Sequence, residues 1–369
     1  MAEAHFAPAW HVGGGAFWVG NGTTALYAAL KALGCRDSYV AVQPNVCPNV
    51  VAAILATRNK PWFVDIERSR LGLDPVALRE ALPEVSAVIA VHSYGIPCRI
   101  TEIRELVAAR AIPLIEDCAQ AEGAALDGIP VGRYGDVAAF SFGKGKIIDA
   151  AGGGVVSSGN REIAWRIERE IGSLPAEPEQ AAAQELSADF KDLYNNFYPD
   201  RLTTRRRRFS QSLRTYGLRL RGKASADTCA SVSAMRESLA ANVAERNRKA
   251  RLYRSALASL PLATFPEIPA GASPWRFNLF LPPGIRQPVF RALLRADIPV
   301  SSWYPDISRF MDEEDFRAGR LPNARWLDEA VLNLWVDQTA DDEQITSWCG
   351  ALRESVAEAL AASSFVVPS

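Results

Sequence analysis

Short apolar runs alternate with helix-forming stretches over residues 16–170, and this alternation constrains the fold more than any other feature of the sequence. The runs 86–93 and 113–118 carry their charged and histidine side chains at the carboxyl end and are mostly apolar before it, as strands buried on both faces are. Repeated strand–helix–strand units of this kind predict a doubly wound α/β domain, in which helices cover a mostly parallel sheet.

The alternation ends near residue 172, and a basic stretch follows it. Residues 201–223 contain nine Arg or Lys and no acidic residue. Two interpretations fit this stretch: a solvated pair of helices, or a lid whose arginines bind the phosphates of a nucleotide-linked sugar. We treat residues 172–231 as a divergent basic insert or lid of the large domain.

Beyond this insert the pattern becomes that of a smaller α+β unit. Apolar residues at i+4 spacing from Met235 predict one long helix over roughly 232–260, and a capping box that begins at Thr339 predicts the start of a final helix. We therefore expect a large α/β domain over residues 1–231 and a small C-terminal α+β domain over residues 232–369.

The balance of charge argues against a nucleic-acid partner, since the 369 residues include 41 Lys or Arg and 42 Asp or Glu. Six cysteines are scattered without a C-x-x-C pair, and there are only three histidines, so neither a disulfide framework nor a metal site is expected. The N-terminus has no signal-peptide pattern, and no apolar run reaches the roughly 20 residues of a membrane helix. We expect a soluble, cytoplasmic protein.

Three segments place glycine or polar residues where predicted strands end, which is the edge of a parallel sheet that binds ligands. The first, GNGTTAL at 20–26, follows a strand and opens a helix. Its backbone N–H groups can hold a phosphate, and Thr23 or Thr24 adds a hydroxyl. An ordinary turn with a helix cap is the alternative, and the segment has neither the Walker pattern nor G-x-G-x-x-G.

The other two segments supply a carboxylate and an amine. In IEDCAQAEG at 115–123, Asp117 ends a buried strand and needs a partner such as a protonated ring nitrogen, although capping the next helix would also explain it. In FSFGKGKIIDAAGGG at 140–154, Lys144 and Lys146 precede a glycine run. A lysine in a desolvated crevice becomes a nucleophilic amine suited to Schiff-base chemistry, whereas most loop lysines are simply solvated.

In their order and content, these segments resemble the DegT/DnrJ/EryC1/StrS sugar aminotransferases, which are enzymes of fold type I that depend on pyridoxal 5'-phosphate (PLP). The shared stretches are N-G-T-T-A-L, V-D-I, H-S-Y-G, I-E-D-C-A-Q-A-E-G and F-S-F-G-K-G-K followed by G-G-G. The combination of E-D-x-A-Q with S-F-x-x-x-K is the most specific of them. The resemblance covers residues 19–170 well and is fainter over 232–369.

The resemblance implies a role for several residues of the second and third segments. Lys146, five residues after Ser141, would hold PLP through a Schiff base and later move a proton between the substrate carbon and the cofactor. Asp117 would pair with the pyridine nitrogen and keep it protonated, which makes the ring an electron sink. Gln120 would lie near the oxygen O3′ of the ring or near its face, while Lys144 matches no lysine of the family.

Phosphate binding is implied for Gly22, Thr23 and Ser141. In the family, a G-x-N-x-R stretch also brings an asparagine from the partner subunit to the phosphate. That stretch is not recognisable in this sequence, and Asn195 or Asn196 in DLYNNFYPD is the substitute that we consider.

Two further departures concern how the site is enclosed. Only 21 residues precede Gly22, fewer than the family usually has. The aromatic that commonly stacks on the PLP ring is missing from QPNVCPNVV, so that Cys47, Pro48 or Asn49 must face that space.

In the second half, three residues are candidates for closing over the substrate: Trp303, Tyr304 and Arg276. We favour the interpretation that the two aromatic residues belong to the core between the domains.

The function implied by the resemblance is transamination in two half-reactions. An amino acid, with L-glutamate the usual donor in the family, converts PLP to pyridoxamine phosphate (PMP), which then aminates a keto-sugar. We expect a nucleotide-linked keto-sugar or a keto-cyclitol of antibiotic or surface-polysaccharide biosynthesis, and a homodimer with shared active sites. A PMP-dependent sugar dehydratase is disfavoured by Lys146, and a non-catalytic PLP-binding regulator or partner subunit stays open.

Overall fold

The computed structural model describes residues 14–195 and 202–362, except for the side chains at 180, 183, 191–195 and 202–205. Its centre is a sheet of eight strands. In spatial order the strands are β1 (Gly15–Val19), β9 (Gly154–Ser158), β8 (Val137–Ser141), β5 (Leu114–Asp117), β4 (Val85–Val91), β2 (Tyr39–Val42), β3 (Lys60–Phe63) and β12 (Arg317–Ala318).

The central strands of this sheet are parallel. Strand β8 pairs in parallel with β5, β5 with β4, β4 with β2, β2 with β3, and β3 with β12. Strand β9 is antiparallel to β8, and β1 is antiparallel to β9. The predicted α/β class with a mostly parallel sheet is therefore confirmed.

Helices cover the sheet and connect its strands. The first part of the chain contains α1 (Gly22–Ala32), α2 (Pro48–Ala56), α3 (Pro75–Ala81), α4 (Ile100–Ala108), α5 (Arg161–Gly172), α6 (Gln180–Asn195) and α7 (Leu202–Arg219). Sequence signals explain where several of them begin. The side chain of Asn21 caps α1, and Asp74 followed by Pro75 opens α3.

A second hydrophobic core lies in the C-terminal part. A three-stranded antiparallel sheet of β10 (Phe277–Phe280), β13 (Val331–Leu334) and β11 (Val300–Ser301) packs with helices. The helices of this part are α8 (Ala226–Arg236), α9 (Leu239–Ala256), α10 (Pro283–Arg295), α11 (Pro322–Ala330) and α12 (Asp342–Ala361). A short hairpin of β6 (Ala125–Leu126) and β7 (Ile129–Pro130) completes the strands that the structure describes.

The long helix predicted over 232–260 is wrong, because α8 and α9 are separate helices. Residues 237–238 form a turn between them, in which Ser238 lies outside helical geometry and its hydroxyl donates to the carbonyl of Met235 in the last turn of α8. Met235 is 39% exposed and does not belong to a core stripe. The domain boundary predicted at residue 231 falls inside α8.

The start of the last helix also differs from the prediction. Asp341 caps α12 and forms a reciprocal capping box with Gln344. The hydroxyl of Thr339 is instead bound to the carboxylate of Asp337 at 2.5 Å, and so it cannot serve as the cap. The correct box lies two residues further along the chain because Asp337 competes for the threonine side chain.

The basic stretch 201–223 forms most of α7, and its apolar side packs into the large core. Four side chains of this helix and its end are buried there: Phe209, Leu213, Tyr216 and Leu220. Arg207 and Arg214 reach the carboxylates of Asp312 and Asp315 at 3.1 and 3.3 Å. Over the described residues, this geometry favours a helix with ion-paired arginines on its exposed side rather than a lid of free arginines.

Over the described residues, no helix is both long and apolar enough to cross a bilayer.

The contact between α7 and α2 leaves no room at Gly217. A Cβ atom there would lie 2.2 Å from the carbonyl oxygen of Ala52. We expect Gly217→Ala to lower the free energy of unfolding by about 1–3 kcal/mol, as overpacking does. Gly172→Ala is the matched helical control, since nothing lies within 4 Å of its added Cβ. Urea unfolding should show a lower midpoint for the first variant alone; equal midpoints would refute the close approach.

Candidate active site

The carboxyl ends of the parallel strands border one cavity of about 1000 Å³. Six of the seven predicted cofactor-binding residues line it: Gly22, Thr23, Asp117, Gln120, Ser141 and Lys146. The seventh, Asn195, is the last residue of α6, and its side chain lies outside the described part of the structure, as does all of Asn196. The three sequence segments therefore meet in space.

The first turn of α1 and the end of β8 form a close-fitting polar cradle. A Cβ on Gly22 would lie 2.8 Å from the Cβ of Ser141, so only glycine allows the helix to begin this near to the serine. The first N–H groups of a helix have no partner within the helix, and they attract anions. The amide of Asn49 donates to the Thr23 hydroxyl at 3.0 Å and fixes its orientation. These groups suit a phosphate.

The segment after α7 secures this turn. The carbonyl of Leu220 accepts from the side-chain amide of Asn21 at 2.8 Å and from the hydroxyl of Thr24 at 3.0 Å. The backbone N–H of Gly20 donates to the carbonyl of Gly222 at 2.8 Å. The end of the basic stretch is thus a structural support of the cradle, a role that the sequence did not reveal.

Asp117 is the last residue of β5, and only 4% of it is exposed. Burial raises the pKa of its carboxyl, against the opposing effects of the Ala119 N–H, which donates to it at 2.9 Å, and of the Lys146 charge. A buried carboxyl with a raised pKa gains most from a cationic partner. Asp117 is therefore suited to hold a protonated ring nitrogen.

A second buried carboxylate, Glu116, lies beside Asp117, and the sequence analysis did not single it out. It accepts backbone N–H groups from Gly132, Tyr134 and Gly135 at 2.6–2.8 Å. Its fourth partner is Nε2 of His92 at 3.0 Å. Burial raises the pKa of Glu116, but the His92 and backbone hydrogen bonds outweigh it, and the net pKa is lowered.

The partners of His92 define its tautomer. Its Nδ1 accepts the N–H of Cys98 at 3.2 Å, so that the proton is on Nε2, which donates to Glu116. The backbone N–H of His92 donates to the carbonyl of Asp117 at 3.1 Å. This network joins the ends of β4 and β5 beneath the cavity.

Of the two loop lysines, only Lys146 is partly buried, and Lys144 is exposed. The Lys146 N–H donates to the carbonyl of Gly143 at 3.1 Å, which closes a tight turn. Gly145, between the lysines, has a φ of +78° that favours glycine, and its carbonyl accepts the indole N–H of Trp275 at 2.6 Å. The loop is thus held firmly beside the cavity, as a nucleophilic amine requires.

Gln120 is oriented by hydrogen bonds at both ends of its amide. Its oxygen accepts the backbone N–H of Tyr94 at 2.7 Å, and its nitrogen donates to the hydroxyl of Tyr304 at 3.3 Å. Cys47 and Asn49 line the cavity, in agreement with the expectation that this segment faces the ligand space without an aromatic residue.

The three candidates for closing over the substrate have different positions. Tyr304 lines the cavity and also packs against the large core. Trp303 stacks on Phe190, with ring centroids 5.7 Å apart, so its position agrees with the core interpretation. Arg276 is buried and paired with Asp337 at 3.0 Å, behind the cavity.

These residues fit PLP in three independent respects. The cradle at Gly22 and Ser141 has the small, N–H-rich form that a phosphate needs. Asp117 is buried and has a raised pKa, as a partner of a pyridine nitrogen should. Lys146 borders the same cavity and offers the amine that an aldehyde needs.

The carboxylate of Glu116 should support the fold in a pH-dependent way. A depressed pKa means that its contribution is present above the unfolded-state pKa of about 4.3 and is lost as the pH falls through the folded-state pKa. We expect Glu116→Gln to cost at least about 1–3 kcal/mol of unfolding free energy at pH 7, because a buried N–H loses its acceptor.

Urea unfolding at several pH values measures this effect. The deficit of Glu116→Gln relative to the wild-type protein should narrow below about pH 4.3. The exposed Glu168→Gln variant is the control and should stay within about 0.5 kcal/mol of the wild-type value. A deficit that does not change with pH would contradict an ionised Glu116.

Comparison with curated proteins finds similarity over about two fifths of the chain. A dTDP-3-amino-3,4,6-trideoxy-alpha-D-glucose transaminase from Micromonospora megalomicea subsp. nigra is 38% identical over 154 residues, which are 41% of this chain and 41% of that protein. An L-glutamine:2-deoxy-scyllo-inosose aminotransferase from Streptomyces kanamyceticus is 35% identical over 150 residues, which are 40% of this chain and 35% of that protein. The matched segments thus span well under half the length of these relatives.

Similarity to solved structures extends over almost the whole chain. The crystal structure of DesV from S. venezuelae, in complex with a ketimine intermediate, has a TM-score of 0.74 and 25% sequence identity, and the match covers 94% of this chain and 86% of that chain. A model of the DegT/DnrJ/EryC1/StrS aminotransferase family matches residues 3–353. Since the family match covers nearly the whole sequence, the chain belongs to the DegT/DnrJ/EryC1/StrS aminotransferase family.

Proposed function

We propose that the protein is a PLP-dependent aminotransferase that carries an amino group from an amino acid, expected to be L-glutamate, to a keto-sugar. The observation that carries this proposal is the meeting of a phosphate cradle, a buried carboxylate and a half-buried lysine in one cavity. These three groups match the phosphate, the pyridine nitrogen and the aldehyde of PLP. When bound, PLP supplies an electron sink for negative charge at a substrate carbon.

In this proposal, Gly22, Thr23 and Ser141 bind the phosphate. The backbone N–H groups at the start of α1 and the helix dipole both favour an anion there. This anchor does not depend on Lys146, so it would still hold the cofactor when the amine of Lys146 is free. The Asn49 contact with Thr23 keeps the cradle preformed.

Asp117 and Lys146 would each control the position of one proton. The carboxylate of Asp117, ionised when it faces the ring nitrogen, would keep a proton on that nitrogen. The free amine of Lys146 would take a proton at its Nζ from the substrate carbon and then return that proton to the cofactor, as a positioned general acid–base group does. Burial around Asp117 excludes water and strengthens its pairing.

The amino acceptor is proposed to be a nucleotide-linked keto-sugar or a keto-cyclitol of antibiotic or surface-polysaccharide biosynthesis. The cavity extends from the cradle to α6 and the segment before it, where Glu177, Gln184 and Ser187 line it. Carboxylate, amide and hydroxyl groups of this kind can hydrogen-bond the hydroxyl groups of a sugar or cyclitol. The names of the dTDP-sugar and cyclitol relatives support the same two classes.

We further propose that the protein acts in the cytoplasm as a homodimer with shared active sites. All six cysteines are free, as in a reducing compartment. The family resemblance supports the dimer, in which a partner-subunit asparagine would complete the phosphate site. A monomeric mass by light scattering for the PLP-loaded protein would contradict the dimer.

Lys146→Ala tests the proposed function. We expect the variant to lose at least about 10²–10⁴-fold in the rate of transamination, since it lacks both the nucleophile and the acid–base group. It should also fail to form the visible absorbance band that the wild-type protein forms with PLP.

The matched control is Lys144→Ala, which removes an exposed lysine from the same loop and from the wall of the same cavity. It should keep the absorbance band and the rate of reaction with the amino donor. Near-normal turnover of Lys146→Ala, or equal losses in both variants, would refute the assignment of Lys146.

A further inference from the structure

Tyr304 comes from the C-terminal part of the chain, yet it lines the cavity among residues of the large domain. Hydrogen bonds hold both the backbone N–H and the carbonyl of this residue. The hydroxyl of Tyr94 accepts the Tyr304 N–H at 3.1 Å and donates to the carbonyl of Trp303 at 2.6 Å. The amide of Asn45 donates to the Tyr304 carbonyl at 3.0 Å. The position of this residue is therefore well defined at the cavity wall.

The ring of Tyr304 is fixed as firmly as its backbone. It stacks on Trp275 with an interplanar angle of 8° and ring centroids 6.2 Å apart. The same Trp275 holds the carbonyl of Gly145, next to Lys146, through its indole N–H. One indole thus sets the position of the phenol relative to the lysine loop.

The hydrogen bonds of Gln120 determine which groups remain as acceptors for the hydroxyl of Tyr304. The oxygen of the Gln120 amide is already occupied by the Tyr94 N–H, so its nitrogen faces Tyr304 and donates to the phenol oxygen. The hydroxyl hydrogen of Tyr304 must therefore point elsewhere. The neighbouring Cys47 thiol interacts electrostatically with this hydroxyl, but a thiol sulfur is only a weak acceptor.

The charge state of the phenol suits a donor. Burial raises the pKa of Tyr304 well above its usual range, and the neighbouring Cys47, Tyr94 and Asp117 raise it further against the effect of Arg276. The hydroxyl consequently keeps its hydrogen over the working pH range of a protein.

We propose that Tyr304 is an active-site hydrogen-bond donor, whose hydroxyl donates to an acceptor oxygen of the ligand bound beside Lys146 and Gln120. The oxygen belongs either to the cofactor ring or to the substrate amino acid, and both offer the same chemistry. Gln120 and Trp275 act as positioning residues for this donor. The inference rests on the proposed function of the site, and it adds a residue that the family motifs of the sequence did not supply.

The test uses the full-length protein loaded with PLP, in wild-type form and as Tyr304→Phe. Phenylalanine keeps the ring stacked on Trp275 and removes only the hydroxyl. Tyr253→Phe is the matched control, since it also removes one buried phenol hydroxyl, bound to the carbonyl of Trp335, but Tyr253 belongs to the C-terminal core rather than to the cavity lining. The thermal unfolding midpoint of each variant confirms that it is folded.

Two readouts distinguish the two sources of the acceptor oxygen. One possibility is that an oxygen of the cofactor ring accepts the hydrogen bond. The apparent proton affinity, measured by pH titration of the visible absorbance band, should then differ roughly threefold to tenfold between Tyr304→Phe and the wild-type protein, which is the effect of one neutral hydrogen bond. If the amino acid accepts, the apparent Kd of L-glutamate in the first half-reaction should rise by a similar factor. Tyr253→Phe should change neither readout.

Wild-type values of both readouts in a folded Tyr304→Phe variant would overturn the inference and leave the proposed function intact. Equal changes in Tyr304→Phe and Tyr253→Phe would also overturn it, because they would show a general effect of losing a buried hydroxyl. If PLP forms no visible band with the wild-type protein, the proposed function fails, and this inference fails with it.

Discussion

The site depends on a buried carboxylate that does not itself line the cavity. Glu116 is fully buried and accepts three backbone N–H groups and the Nε2 proton of His92. These bonds tie the end of β5 to the end of β4 and to the turn over residues 132–135. The neighbouring residue on β5, Asp117, points to the opposite face of the sheet and into the cavity. The hydrogen bonds of Glu116 therefore fix the position of Asp117, the proposed partner of the ring nitrogen.

A second level of organisation links the two parts of the chain across the cavity. Trp275 binds the lysine loop through its indole N–H and stacks with both Tyr94 and Tyr304. Strand β12, from the C-terminal part, extends the large sheet beside β3. The cavity is thus a joint product of both cores, and the aromatic rings on its C-terminal side lie near the segment of Cys47 that lacks an aromatic residue of its own.

The sequence predicted those features that depend on local signals. The strands of the large sheet other than β12, and the gathering of Gly22, Asp117 and Lys146 at one sheet edge, follow from apolar periodicity and from the geometry of parallel strands. The roles of these residues stay predictions until they are tested. Contacts between distant segments could not be read from spacing, since the partners of Glu116 and of Tyr304 lie up to 259 residues away.

The errors concern the ends of two helices. The apolar spacing continues through Ser238 and predicts one helix over 232–260, whereas residues 237–238 form a turn that separates α8 from α9. Thr339 matches a capping pattern, but its hydroxyl is bound to Asp337, which is itself paired with the distant Arg276. Neither the turn nor the competing carboxylate can be read from residue spacing.

Whether Lys146, Asp117 and the cradle at Gly22 form a working transamination site can be measured by visible absorbance of the PLP-loaded protein before and after addition of L-glutamate. We expect the visible band to decrease and the band of PMP to increase, with one equivalent of 2-oxoglutarate released per site. A visible band that persists unchanged with L-glutamate and with other amino donors would show that the site does not perform transamination.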